Sequence, residues 1–295
     1  YFSPPVFILI FICEGLYFGF YYFSYYSIIN HYTSQKMVGK NIGNATIALN
    51  IAATITPFIG AILLNQNPVY LISIAVLFLF LSLLPMLSLT SVDINGADLP
   101  MMDLRIAKTE FFEYGLLAAI ELIIFTLWVI YAFNAGVSLA MISTIAITSG
   151  LASILIAEKI KNAITKLSAR RNLKFISIFF ISLLSLYRYF YPEQILLSNL
   201  FFGSAYLIFN LCVETELFLK IKGYQTYHSS AWISITAFAA RIIIVLLALL
   251  IGLKNIILIP ILLCAIYLFI TLRKPHPPSD FTATLHHATS PVPRH

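Results

Sequence analysis

The residues of this sequence that could do chemistry are ionisable side chains set inside long apolar runs. Glu14 lies about eight residues into one run and Arg241 about ten residues into another. At roughly 1.5 Å of rise per residue, both would lie near the middle of a membrane. Charges at that depth are costly unless they are paired or hydrated. We therefore expect Glu14 to bind a substrate or a proton, and Arg241 to be its charge partner or an anion-binding group. The alternative is a structural ion pair between helices.

Other polar side chains lie in similar runs. Glu121 is about two helical turns into its run, which suits either proton coupling or extension to the nearby interface. Asn50 and Asn210 could bond across helices or contact a substrate. Tyrosines spaced by four place hydroxyl groups on adjacent helix faces, either as a stacking surface for an organic substrate or as a compositional preference. These are Tyr17, Tyr21, Tyr22, Tyr25 and Tyr26.

Two further carboxylates, Glu214 and Glu216, lie near the end of their run and close to Lys220. Glu216 and Lys220 have the i,i+4 spacing of a helical ion pair, so we predict a gate or surface pair here and not a binding site. No HExxH, GxSxG, phosphate-cradling glycine loop or pair of aspartates occurs, and the three cysteines lack metal-ligand spacing. We expect no enzyme activity, no cofactor and no metal.

Composition places these side chains in a membrane. Hydrophobic residues make up 60% of the chain and charged residues 10%, with a mean hydropathy of +0.91. This composition lies far outside the range of soluble globular domains. We predict an all-α polytopic membrane protein with about nine transmembrane helices. The net charge of +6 is then no sign of nucleic-acid binding. The predicted spans are roughly 6–29, 42–64, 69–89, 114–133, 137–157, 175–191, 195–219, 231–253 and 256–272.

A long polar interval divides three spans from six. We predict a partial N-terminal bundle at 1–90, a cytoplasmic central loop at 91–113, a six-helix C-terminal bundle at 114–272 and a disordered cytoplasmic tail at 273–295. If the spans alternate in direction, fifteen of the eighteen Lys and Arg residues lie on one side. The positive-inside rule makes that side cytoplasmic, as in a multi-pass protein of a bacterial cytoplasmic membrane.

One helix-length stretch, GNATIALNIAATITPFIGA, is rich in small residues that would let another backbone approach. These are Gly43, Ala52, Thr56 and Gly60, and Pro57 adds a kink or weak point. The spacing resembles the fifth-helix signature of the major facilitator superfamily, which is Gly, eight residues, Gly, three residues, Gly-Pro, two residues, Gly-Gly. Gly43, Pro57 and Gly60 match it literally. The alternative is a generic small-residue interface.

A second stretch, NAITKLSARR, resembles the loop between the eighth and ninth helices of that family. Arg170 and Arg171 match its arginine pair, whereas Lys166 stands where the family has an aspartate. A basic loop that only sets topology is the alternative. The resemblance covers about 270 residues, which align with helices four to twelve. We therefore expect further sequence upstream of Tyr1, including the first three helices.

The resemblance implies facilitator-like helical bundles that rock about a midplane site, in a secondary transporter that works by alternating access. The driving force would be a proton or a counter-substrate, with Glu14 or Glu121 titrating, and the fifth-helix signature is associated with efflux. Expected partners are the lipid bilayer, a small solute and protons, with no nucleic acid and a monomeric state. The alternative is a truncated or degenerate membrane protein that does not transport and has a structural role.

Overall fold

The computed structural model describes residues 25, 28–29, 33–87, 101, 107–191, 194–222 and 224–272. Within these ranges the chain is all-helical and contains no strand. The long helices are α1 (Val38–Gln66), α2 (Pro68–Leu87), α3 (Lys108–Asn134), α4 (Leu139–Ile160), α5 (Leu167–Phe190), α6 (Ile195–Ile221), α7 (Thr226–Ile251) and α8 (Ile259–Leu272). Short helical turns at Gln35–Met37, Ala163–Thr165 and Leu253–Ile256 connect them.

Five helical segments of the described chain are long and apolar enough to cross a membrane: Lys108–Asn134, Leu167–Phe190, Leu197–Ile221, His228–Ile251 and Leu253–Thr271. The prediction of an all-helical protein with several membrane spans is confirmed at this level. The count of about nine stays a prediction. The first expected span, 6–29, lies outside the described residues except for three positions near its end, and the expected tail, 273–295, lies outside them entirely.

Several helices begin earlier than their apolar runs indicate. Helix α3 starts at Lys108, α5 at Leu167 and α7 at Thr226. The additional turns of α3 and α5 carry Glu113 and Lys174, whose low hydropathy places them outside the predicted spans. In the structure the two side chains form an ion pair between the helices. The predicted loops at 91–113 and 158–174 are therefore partly helical.

Helix α6 is the central element of the bundle. It packs against α1, α3, α4 and α5, while α3 also packs on α7 and α5 on α8. Apolar side chains cover several faces of α6, and Phe202, Phe209, Leu211 and Phe218 are all buried. Helix α7 lies at the periphery, where Leu249 and Leu250 are largely exposed. A helix with apolar side chains on several faces suits the centre of a bundle.

The helices alternate in direction, and the charged side chains collect at one end. The start of α1 meets the end of α4, and the starts of α3 and α5 meet each other. We call this the basic end, because it holds Lys159, Lys161, Lys166, Arg170, Arg171, Lys174, Lys220 and Lys222. Its assignment to the cytoplasmic side stays a prediction.

Close contacts between α1, α4 and α6 depend on glycine. A Cβ atom placed on Gly43 would lie 2.5 Å from the Cβ of Lys161 in α4. Gly150 of α4 lies directly against the Thr54 side chain of α1, and a Cβ on Gly203 of α6 would lie 3.1 Å from the Cβ of Ser149. Substitution at any of these positions would push two helices apart.

The predicted packing signature is only partly correct. Gly43 packs as expected, but Ala52 and Thr56 are exposed, and the Thr56 hydroxyl donates to the Ala52 carbonyl of its own helix at 2.7 Å. Nine and thirteen residues correspond to about 2.5 and 3.6 turns, which carries both side chains away from the face of Gly43. Helix α1 continues through Pro57 without interruption, and the packing of Pro57 and Gly60 against other helices lies outside what the structure describes.

Candidate functional site

A cavity of about 300 Å³ lies inside the bundle, between α1, α3, α4, α6 and α7. This volume is at the small end of the range for small-molecule sites, which is about 300 to 1,000 Å³. The polar groups at its wall that matter for chemistry are Tyr25, Asn50, Glu121, Asn210, Glu214 and Arg241. Four of the residues predicted as substrate or proton sites, Tyr25, Glu121, Asn210 and Arg241, are therefore brought together.

An ion pair crosses the cavity wall. The Nη2 atom of Arg241 in α7 donates to Oε2 of Glu121 in α3 at 2.7 Å, and the two side chains are 23% and 33% exposed. Glu121 therefore turns into the cavity instead of extending to the membrane interface, which was the alternative reading of its position. The expected pairing of Arg241 with Glu14 concerns a residue outside the described ranges, as does the expected substrate contact of Tyr22.

The helix changes form directly after Glu121. Residues Leu122–Leu127 are π-helical, inside an otherwise α-helical α3. Such segments are rare and occur frequently at functional sites, because the wider turn redirects the side chains that follow. Phe125 from this segment borders the cavity, and its ring meets that of Tyr206 edge to face at 5.2 Å.

A second carboxylate, Glu214 of α6, also borders the cavity. It is only 8% exposed, and no described residue pairs with it or donates a hydrogen bond to it. The prediction of a gate or surface pair was wrong for this residue. Tyr206, Asn210 and Glu214 follow one another at intervals of four, so they share one face of α6. That spacing was the signal in the sequence that could have identified Glu214.

Two neutral polar residues complete the wall. Tyr25 precedes α1 and packs edge to face on Phe218, with the ring centroids 6.2 Å apart. Asn50 donates from its amide to the Thr46 carbonyl at 2.9 Å, one turn earlier in α1. Both residues therefore contribute to the cavity wall from the N-terminal part of the chain.

A buried ionic cluster lies at the basic end, formed by Glu113, Arg170, Lys174 and Glu216. Lys174 Nζ lies 2.8 Å from Glu113 and 2.5 Å from Glu216, and Arg170 Nε lies 3.2 Å from Glu216. Arg170 also donates to the Ile164 carbonyl at 2.9 Å. The cluster joins the first turns of α3 and α5 to the last turns of α6.

The cluster corrects two predictions. Glu216 pairs with Arg170 and Lys174 of α5 and not with Lys220, which is exposed. Arg170 and Arg171 stand in the first turn of α5 and not in a loop, with Arg170 buried and Arg171 exposed. The physical reason is that a buried carboxylate is stabilised best by a partner that is buried with it.

The opposite end holds one buried cation that the sequence did not single out. The Arg188 guanidinium lies 4.2 Å from the ring centroid of Phe202 and 4.9 Å from that of Trp128. It also donates to the side-chain oxygen of Asn199. Arg188 therefore joins α3, α5 and α6 by stacking and hydrogen bonding.

Among the described residues, no group of three or more His, Cys, Asp and Glu side chains could hold a metal ion. No family model, curated protein or solved structure matches the chain. The resemblance to the major facilitator superfamily therefore stays a prediction. The cavity and its three ionisable residues are the observations on which a function can be argued.

Proposed function

We propose that this chain is a secondary active transporter of the facilitator type, which moves a small solute across a bacterial cytoplasmic membrane by alternating access. The observation that carries the proposal is the internal cavity of about 300 Å³ with ionisable side chains in its wall. Burying charged groups beside a void is costly unless they serve a ligand or an ion.

The packing around the cavity supports movement of α1 relative to the other helices. Gly43, Gly150 and Gly203 keep the contacts of α1, α4 and α6 free of bulky interdigitating side chains. Smooth contacts of this kind let helices change their relative tilt with little repacking. Rocking of an N-terminal bundle that contains α1 against the remaining helices would open the cavity to one side or the other.

The ion pair between Glu121 and Arg241 supports coupling to protons. A proton that enters the cavity and binds the Glu121 carboxylate removes its negative charge, and the attraction to Arg241 is lost. Because the pair joins α3 to α7 at 2.7 Å, its release would loosen the contact between these helices. A proton bound from one side of the membrane would therefore favour a different arrangement of the helices. Proton-driven efflux requires such a coupling between proton binding and conformation.

Cysteine labelling tests alternating access directly. In a background in which Cys13, Cys212 and Cys264 are replaced by alanine, Leu49→Cys places one thiol in the cavity wall. We expect a membrane-impermeant maleimide to label this thiol in right-side-out vesicles and also in inverted vesicles. Leu249→Cys is the control, since its side chain is 78% exposed on the outer face of α7, where lipid excludes the reagent.

Labelling from one side only would contradict alternating access. It would favour the alternative of a membrane protein with a structural role. Labelling of the control thiol at the same rate would show that the reagent reaches lipid-facing positions, and the comparison would then be made with a more polar maleimide.

A further inference from the structure

The described wall of the cavity carries more negative than positive groups. Its ionisable residues are Glu121, Glu214 and Arg241. The charge of Glu121 is balanced by Arg241 at 2.7 Å. Glu214 is only 8% exposed, borders the same space and has no partner among the described residues. A buried carboxylate of this kind is stabilised by taking up a proton or by a cation, and the cavity is the side from which a cation can reach it.

The remainder of the wall is rich in aromatic rings. Tyr25, Tyr114, Phe125 and Tyr206 border the cavity from three segments of the chain. Phe125 is 44% exposed and meets Tyr206 edge to face. Aromatic faces attract cations through their quadrupole, and most strongly where water is excluded. An anion would be repelled both by these ring faces and by the Glu214 carboxylate.

The groups on α6 also define an orientation. Tyr206, Asn210 and Glu214 occupy one helix face at intervals of four, so the stripe is about 12 Å long at 1.5 Å per residue. The carboxylate lies towards the basic end and the aromatic ring towards the cavity wall formed with Phe125. A ligand with a positive head and an apolar body matches both ends of this stripe.

We propose that the cavity binds an organic monovalent cation, with its ammonium group against Glu214 and its apolar body against the contacting rings of Phe125 and Tyr206. This inference rests on the proposed function and names the substrate class of the same cavity. A metal ion suits the wall less well, because no three His, Cys, Asp or Glu side chains among the described residues lie close enough together to hold one.

A set of near-isosteric compounds tests the proposal on the purified protein in lipid nanodiscs. Choline carries one positive charge, and tert-butylethanol (3,3-dimethylbutanol) has the same shape without charge. The anion tert-butylacetate (3,3-dimethylbutanoate, a carboxylate and not the ester) carries one negative charge. Benzyltrimethylammonium adds an aromatic body. By isothermal titration calorimetry we expect the two cations to bind. The affinity for tert-butylethanol should be lower than that for choline by about tenfold or by a larger factor, and tert-butylacetate should not bind.

Substitution of Glu214 identifies the recognising group. We expect Glu214→Gln to weaken binding of the cations by about tenfold and to leave tert-butylethanol unchanged. Glu158→Gln is the matched control, because Glu158 is an exposed carboxylate of α4 outside the cavity. If Glu214→Gln does not fold, Tyr206→Leu serves instead and should weaken benzyltrimethylammonium more than tert-butylethanol.

Three results would overturn the proposal: no binding of either cation, equal binding of choline and tert-butylethanol, or preference for tert-butylacetate. The outcome is separable from that of the transport test. Cation binding with a cavity thiol labelled from one side only would keep the site and reject alternating access. Labelling from both sides with preference for the anion would keep alternating access and reject the cation site.

Discussion

The Nη2 atom of Arg241 lies 2.7 Å from Oε2 of Glu121, and this contact joins α7 to α3 at the wall of the cavity. The α-helical hydrogen bonding of α3 changes to π-helical at the next residue, Leu122. An ion pair and a helix irregularity therefore occur at the same place. A local rearrangement of α3 would act on the ion pair directly, since Glu121 is the last residue before the irregular segment.

We predict that this ion pair is energetically coupled. Glu121→Gln and Arg241→Gln should each lower the free energy of unfolding in mild detergent by about 1 to 2 kcal/mol, because each leaves a half-buried charge without its partner. The double variant should lose less than the sum of the two, with a coupling energy of about 1 kcal/mol.

The comparison for this cycle is the i,i+3 pair of Glu158 and Lys161 at the end of α4, which are 2.6 Å apart and of which the Glu158 side chain is 61% exposed. Its coupling energy should stay below about 0.5 kcal/mol, because solvent around the exposed Glu158 carboxylate screens the pair. Additive effects at Glu121 and Arg241 would show that the contact contributes no stability of its own.

The ionic cluster at the basic end should contribute more. We predict that Lys174→Met lowers the free energy of unfolding by about 3 to 5 kcal/mol, because it removes the buried cation that lies between the Glu113 and Glu216 carboxylates and leaves Arg170 to pair with Glu216 alone. Lys220→Met, on the exposed face of α6, should change it by less than about 0.5 kcal/mol. Chemical denaturation of both variants in the same detergent checks the difference, and equal effects would contradict the observed pairing.

The depth of charged residues in apolar runs was the most informative signal in the sequence. It singled out Glu121 and Arg241, and the amide of Asn210, all of which border the cavity, while their roles stay predictions. The reason is energetic, since a charge inside a span is retained only where a partner or a cavity receives it. The same argument also predicts several apolar helices, because runs of about twenty residues leave few other folds.

The identity of the partners could not be predicted. Local spacing paired Glu216 with Lys220, whereas the tertiary contact pairs Glu216 with Arg170 and Lys174 of another helix. Small residues gave a similar error, because Ala52 fits a sequence signature but lies away from the face of Gly43. Both errors arise because sequence spacing fixes positions on one helix and not the direction from which another helix approaches.

The contact at Gly43 gives a prediction about helix packing. Gly43→Ala should lower the free energy of unfolding by about 1 to 3 kcal/mol, because the new Cβ would lie 2.5 Å from the Cβ of Lys161 and force α1 away from α4. Ala52→Leu adds more volume to the same helix but on an exposed face, and we expect a change of less than about 0.5 kcal/mol. If Ala52→Leu lowered the free energy of unfolding more than Gly43→Ala, the assignment of the Gly43 face as the packing face of α1 would be wrong.

The final prediction concerns Arg188, whose guanidinium is held between the rings of Trp128 and Phe202 and donates to Asn199. A lysine at this position keeps the charge but lacks the flat group that stacks on both rings, so the exchange is not conservative. We expect Arg188→Lys to lower the free energy of unfolding by about 1 to 2 kcal/mol and to shift the fluorescence of Trp128. The control is Lys254→Arg, since Lys254 is exposed and contacts only one ring there, that of Tyr189 at 5.2 Å, among the described residues. Stability unchanged in Arg188→Lys would show that charge alone, without stacking, joins α3, α5 and α6 at this end of the bundle.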